Sequence, residues 1–303
     1  MAPFFDSILP IFLVVALGYG AGRWGLLDRP VAAALNRFVY LFAVPALLFR
    51  LAARAPFADF DLTLLGVMVG SELLVYGAAG LTAKVLFGLG RREALLAGFA
   101  AAFVNHVFLV LPIVIWLFGE AAALPIVAQA TVDTAIIYTL TTTLLDLVAH
   151  KANPLRGALR ATATNPALIA VAAGAAFNLL GLPFVKGLDL FSGFLGDAAA
   201  PSALIALGVI LAGDGGVPTR RGLPWFLAGA KLVVHPLVAL TLMTLAGLDI
   251  AATRPSLMVA AGPSATLAMV LATRYHLMVD SVARTILITT AVSLGTITLV
   301  ALW

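Results

Sequence analysis

The stretch Ala101-Ala-Phe-Val-Asn-His-Val-Phe-Leu-Val-Leu-Pro112 decides how this chain is read. It lies inside an apolar segment running from about Glu93 to Phe118. A helix in hydrocarbon must satisfy its backbone hydrogen bonds internally, so an ordinary spanning helix is monotonous. Here Asn105 and His106 sit near mid-segment, followed by Pro112. Pro112 cannot donate to the carbonyl of residue 108, and its ring crowds that carbonyl. Polar side chains and freed backbone groups at that depth are tolerated only where protein or a water-filled cavity receives them. The stretch therefore reads as half of a transport site, with the other half expected in the C-terminal part of the chain.

Composition sets the setting. Hydrophobic residues make up 62% of the 303 residues and charged residues 11%, against about 25% charged in a soluble domain. This is the balance of an all-α integral membrane protein. A span takes about 20 apolar residues, which leaves room for roughly ten spans with short loops. No cysteine is present, which excludes disulfides, thiol catalysis and iron–sulfur ligation. The net charge of +4 does not indicate nucleic acid, because the basic residues fall in loops, where they set membrane orientation. The N-terminus lacks the basic region of a cleaved signal peptide, so the first apolar run is expected to be retained. No HExxH, P-loop, GxSxG or His/Cys metal cluster occurs, so neither an enzyme nor a cofactor is expected, and nucleotide hydrolysis in this chain does not drive transport.

Spans are expected at about 4–22, 32–52, 62–88, 94–118, 121–148, 165–182, 189–212, 224–247, 255–273 and 281–302. Trp24, Trp116, Trp225 and Trp303 fall near span ends, as in an interfacial aromatic belt. Connections after odd-numbered spans carry Arg23, Arg29, Arg91, Arg92, Lys151, Arg156, Arg160, Arg220, Arg221 and Arg274; those after even-numbered spans carry only Arg54, Lys186 and Arg254. The positive-inside rule makes the former cytoplasmic and puts both termini outside. The chain divides into a repeat at 1–148, a cytoplasmic linker at 149–164 and a second repeat at 165–303, which enters the membrane from the opposite side. An internal match supports this division: Val67–Leu81 lies over Phe226–Leu240 at an offset of 159, pairing Gly70 with Gly229, Glu72 with Lys231 and Tyr76 with His235. The same shift carries Val104-Asn105 onto Pro263-Ser264, and Pro45-Ala-Leu-Leu-Phe matches Pro201-Ser-Ala-Leu-Ile nearby. Inverted repeats with interrupted helices in matching positions point to a secondary transporter.

The second interruption is Gly262-Pro263, flanked by Ser264 and Thr266. Broken half-helices direct N-terminal amides into their gap, and those amides suit an anion. Two breaks related by the repeat would frame one cavity; the plainer alternative is that Pro112 and Pro263 are simple kinks. Asn105, His106, Gln129, Ser264 and Thr266 are the candidate substrate contacts, with Pro263 beside them. Glu72 and Lys231 are intramembrane charges at repeat-equivalent positions, read either as a coupling or charge-compensating pair or as a structural pair facing a crevice. Asp133 shares a helical face with Gln129, and polar interhelical packing is the alternative reading for both. His235 reads as a packing residue ahead of Pro236, and Arg50 as a side chain snorkelling outward. Gly18/Gly22 and Gly66/Gly70 have the spacing that permits close helix packing. A channel would need a continuous polar stripe, and a receptor would normally bring a soluble domain; the sequence displays neither.

The chain resembles the auxin efflux carrier family, which includes bacterial malonate transporters. The residues that carry the resemblance are Ile8-Leu-Pro-Ile-Phe-Leu-Val-Val-Ala-Leu-Gly-Tyr-Gly20, Leu35-Asn-Arg-Phe-Val-Tyr-Leu-Phe-Ala-Val-Pro-Ala-Leu-Leu-Phe49, Asn105 with Leu109-Val-Leu-Pro-Ile113, and the Pro263 span. The resemblance implies ten helices in two inverted five-helix repeats, with broken, crossing fourth and ninth helices. It also implies a scaffold of the first, second, sixth and seventh helices, past which a transport part moves like an elevator, and a homodimer formed through the scaffold. It puts Asn105 and Gln129 on substrate-lining positions, Pro263 on the ninth-helix crossover proline and Glu72 on an acidic position of the third helix. Three departures weigh against an aromatic, auxin-type substrate: Val104 where a crossover proline is expected, Leu48 at a position polar in the plant carriers, and Val107-Phe-Leu-Val in place of a glycine-rich stretch. The expectation is an inner-membrane carrier of a small mono- or dicarboxylate, coupled to a proton or sodium gradient.

Overall fold

The computed structural model describes residues 2–55, 61–119, 122–149, 163–164, 166–213 and 220–303. Its elements are α1 (Ala2–Arg23), α2 (Arg29–Ala53), α3 (Leu62–Phe87), α4 (Arg91–Ala102), α5 (Leu111–Phe118), α6 (Pro125–Ala149), α7 (Pro166–Leu179), α8 (Lys186–Ala212), α9 (Leu223–Leu245), α10 (Ile250–Ala260), α11 (Leu267–Tyr275) and α12 (Val279–Leu302). No strand occurs among the described residues, and six helices, α2, α3, α6, α8, α9 and α12, are long and apolar enough to cross a membrane. Large apolar side chains point outward along them, among them Leu62, Leu81 and Phe194, as in a protein whose solvent is lipid. The expected fourth and ninth spans are each two short helices around a break, and α7 is a 14-residue helix, so helix length alone does not give ten spans. The linker expected at 149–164 falls almost wholly outside the described residues.

Proline accounts for three of the four widened helical turns among the described residues; the fourth, Thr134–Tyr138 in α6, is followed by none. One widened helical turn spans Val39–Ala43, another His106–Val110 and a third Ala230–Val234. Each holds the carbonyl four residues before a proline: Pro45, Pro112 and Pro236. With no N–H to return and a ring pressing on that carbonyl, the helix relaxes into the wider turn. Pro112 itself lies in the first turn of α5, where its missing donor is not needed. It widens the backbone there, and the chain break lies further upstream, at 103–105.

Glycine sets the closest helix contacts. A Cβ on Gly208 of α8 would stand 2.2 Å from the Val15 carbonyl oxygen, and one on Gly18 of α1 would stand 2.3 Å from that of Ile205. Backbone therefore meets backbone between α1 and α8, as the Gly18/Gly22 spacing anticipated. Gly174 brings α7 equally close to α2 at the Phe49 carbonyl. The Gly66/Gly70 expectation is corrected: a Cβ on either glycine would meet nothing within 4 Å, so among the described residues that spacing brings no helix close.

Candidate functional site

The two interrupted helices meet. Phe103 and Val104 leave α4 in extended conformation, and Val104 forms an antiparallel bridge with Ser264 between α10 and α11. The Asn105 amide donates to the Pro263 carbonyl at 3.0 Å, and the Ala265 amide donates to the Phe103 carbonyl at 3.1 Å. These bonds flank the bridged pair, so Val104 and Ser264 make no ladder bond to each other. A residue at position 104 therefore needs no N–H for the pairing, which is why valine serves where the resemblance anticipates proline. Gly262 is required by close approach: a Cβ there would lie 2.7 Å from Val110 Cγ2 and 3.1 Å from Val104 Cγ1.

Breaking a helix strands backbone groups, and buried groups must find other partners. Three hydroxyls supply them. Ser264 Oγ donates to the Ala100 carbonyl at 2.6 Å, Thr296 Oγ1 donates to the Ala261 carbonyl at 2.8 Å, and Thr289 Oγ1 accepts from the Ser264 amide at 3.2 Å. Sequence reasoning missed the two threonines. Their signal was legible: Thr285, Thr289, Ser293 and Thr296 form a polar stripe at helical spacing along α12.

A narrow cavity of about 40 Å³ lies at the crossing. Asn105, His106 and Thr266 line it, with Thr134 from α6, Val44, Leu47, Leu48 and Leu51 from α2, and the first residue of α11. Asn105 lines this space while its backbone holds the crossover. The N-terminus of α11 faces the same space, a favourable end for negative charge. Of the other expected contacts, Ser264 is fully buried and committed to Ala100, Pro263 serves through its carbonyl, and Gln129 lies behind the wall. Both polar atoms of the buried Gln129 amide lack a partner among the described residues. Arg50 is held by Asp189 at 2.9 Å, with Arg54 on the same oxygen, and does not reach the cavity.

Behind His106 the charged residues expected separately form one buried cluster. His106 Nε2 lies 2.9 Å from Asp133 Oδ2 and 4.0 Å from Glu72 Oε1. The three donor atoms all lie within 4.8 Å of one another. Lys231 stands on the same group from α9, but among the described residues no ion pair within 4.0 Å joins it to Glu72. Instead its ammonium donates to His235 Nδ1 at 2.7 Å and to the Ala260 carbonyl at 3.3 Å. Glu72, Asp133, Lys231 and His235 are fully buried. Such a set inside an apolar bundle is costly and marks a site of function.

A larger cavity, about 400 Å³, opens between α2 and α8 on one side and the α11–α12 connection on the other. Arg29 and Asp280 pair across it at 3.4 Å. Deeper along the same seam, Asn36 donates to Thr273 at 3.1 Å and Arg274 stacks on Tyr40 at 3.7 Å.

Apolar outer faces, two helix breaks joined at their centres and a cavity there into which a few polar residues are set mark a membrane transporter. The chain belongs to the family described as membrane transport protein, whose model matches residues 3–301, in keeping with its resemblance to the auxin efflux carriers. It is similar to a "Putative malonate transporter" of Rhizobium meliloti (strain 1021), 31% identical over 98% of this chain and 95% of the relative. It is also similar to an "Uncharacterized transporter" of Methanothermobacter thermautotrophicus, 29% identical over 95% of this chain and 94% of the relative. The family places the chain among membrane transporters and not among enzymes.

Proposed function

We propose that the chain is a secondary carrier for a small organic anion, a mono- or dicarboxylate of the malonate kind, working by elevator-type alternating access. The observation that carries this reading is the Val104–Ser264 bridge, which holds Asn105, His106 and Thr266 around one cavity. Hydrogen-bond donors and a helix N-terminus there favour a carboxylate. The neutral Gln129 amide, one turn from Asp133 on α6, is a further donor once the transport part shifts. The name of the Rhizobium relative supports malonate as the first compound to try.

The reading includes ten spans in two inverted five-helix repeats, 1–148 and 165–303, joined by the 149–164 linker, with both termini outside the inner membrane. The glycine-tight contacts of α1 with α8 and of α2 with α7 support a rigid scaffold. That scaffold is the expected homodimer surface. The 400 Å³ cavity is lined by Arg29 and Arg220, at the end that the positive-inside rule makes cytoplasmic, and serves as the inward vestibule. Glu72, Asp133 and Lys231 carry the coupling charge. Malonate counterflow in liposomes tests the reading. The wild type should exchange saturably, and Asn105→Ala should abolish exchange while remaining folded. Non-saturating flux would make the protein a channel or passive uniporter, exchange of aromatic carboxylates alone would make it auxin-like, and normal exchange by Asn105→Ala would refute the site.

A further inference from the structure

The hydrogens of the buried cluster can be placed one at a time. Ser71 Oγ donates to the Met68 carbonyl at 2.7 Å, so it is left to accept from His235 Nε2 at 3.3 Å. His235 Nδ1 then has a lone pair, which receives the Lys231 ammonium at 2.7 Å. This end of the cluster is complete: a neutral imidazole that accepts from the Lys231 ammonium. At the other end, His106 Nδ1 faces the Val104 carbonyl at 2.9 Å. A carbonyl only accepts, so Nδ1 bears a hydrogen. A neutral His106 would then turn the lone pair of Nε2 on Asp133 Oδ2 at 2.9 Å, with Glu72 Oε1 at 4.0 Å. Neither carboxylate has a hydrogen-bond donor among the described residues. Two carboxylates against one ammonium also leave one uncompensated negative charge, deeply buried.

The geometry points to one exchangeable proton shared among Glu72, His106 and Asp133, whose facing atoms all lie within 4.8 Å of one another, which makes the carrier proton-linked and not sodium-linked. The inference rests on the crossover cavity being an anion site. A hard cation such as sodium is satisfied by several oxygen ligands; here it would meet an imidazole nitrogen with an ammonium close by. The groups facing His106 are Glu72 from α3, Asp133 from α6, and Lys231 with His235 from α9. The connection between α10 and α11 contributes only neutral Ser264 and Thr266. His106 belongs to both halves of the site: it lines the cavity and is bonded to the Val104 carbonyl of the crossover bridge. With the proton, the cluster behind the cavity wall is neutral overall; without it, the wall is backed by one uncompensated negative charge that opposes a carboxylate. Proton and anion therefore each favour the other's binding, by the reciprocity of linked equilibria.

The test uses the full-length protein in liposomes with a trapped pH dye and malonate as probe. An inside-alkaline gradient is expected to speed wild-type uptake about tenfold or more, with acidification of the lumen as malonate enters, while a sodium gradient has no effect. His106→Gln is expected to bring the number of protons moved per malonate to zero in whatever flux remains. Uptake driven by sodium, uptake indifferent to pH, or wild-type proton movement in His106→Gln would each overturn the inference. If malonate is not exchanged at all, the substrate reading fails separately. The proton is then judged by infrared titration of the reconstituted protein between roughly pH 5 and 9. A protonation step present in the wild type and lost or displaced by about one pH unit in both His106→Gln and Asp133→Asn supports the inference. No such step, or one unmoved by either substitution, overturns it.

Discussion

Replacing Ser264 by alanine separates two roles that the sequence cannot tell apart. As a substrate contact, Ser264 would influence malonate affinity and little else. In the structure its hydroxyl is fully buried and donates to the Ala100 carbonyl at 2.6 Å, a group left over where α4 breaks. Ser264→Ala strands that carbonyl, since the methyl offers no donor and no water reaches the position. Leaving a buried acceptor unsatisfied costs about 1–3 kcal/mol. At about 2–4 °C per kcal/mol, thermal unfolding should fall by roughly 2–12 °C. The measurement is tryptophan-fluorescence melting of purified protein in detergent, paired with the KM for malonate counterflow of the folded fraction. The expected result is a clear loss of stability with KM changed less than about threefold, because Ser264 does not line the cavity. Ser264→Cys, with a weak donor of similar size, should fall between. An unchanged melting temperature together with a tenfold rise in KM would refute the reasoning and return Ser264 to the substrate.

The glycine contacts predict opposite outcomes for identical changes. Gly208→Ala must push α8 off the Val15 carbonyl and should destabilise by about 1–3 kcal/mol; Gly66→Ala, with open space around it, should be neutral or gain up to about 1 kcal/mol of helix propensity. Thermal melts of the two variants side by side check both. Asn36 and Thr273 touch across the seam between α2 and α11. In this cysteine-free chain, Asn36→Cys with Thr273→Cys should permit an oxidant to arrest malonate counterflow and a reductant to restore it; full exchange by the cross-linked protein would exclude sliding along that seam.

The membrane class, the approximate spans and the two breaks were legible because they rest on local properties: apolar runs of sufficient length, and Pro112 and Gly262-Pro263 inside them. Asn105 was legible for the same reason, as a polar group where hydrocarbon allows none. Glu72, Asp133 and Lys231 were each visible as costly residues. Their grouping was not, since the repeat pairs Glu72 with Lys231 by position while the fold pairs Lys231 with His235 and Asp133 with His106. The expectation from Ser264 assumed that a hydroxyl beside a break faces the substrate, but broken helices also need hydroxyls for their own backbone.

The sequence by itself determined that this chain lives in lipid, where it breaks, and which side chains are too polar to be there by accident. Those follow from the cost of moving single residues or single backbone groups out of water, which each residue bears wherever its neighbours lie. Only the tertiary structure decided which polar groups satisfy one another and which remain for a ligand. Hydrogen bonds and charge pairs depend on distances of about 3 Å between residues far apart in the chain, as between Ser264 and Ala100 or His106 and Asp133. The stretch from Ala101 to Pro112 announces an opening in the helix; its partner segment from Pro263 to Ala265 determines what that opening can hold.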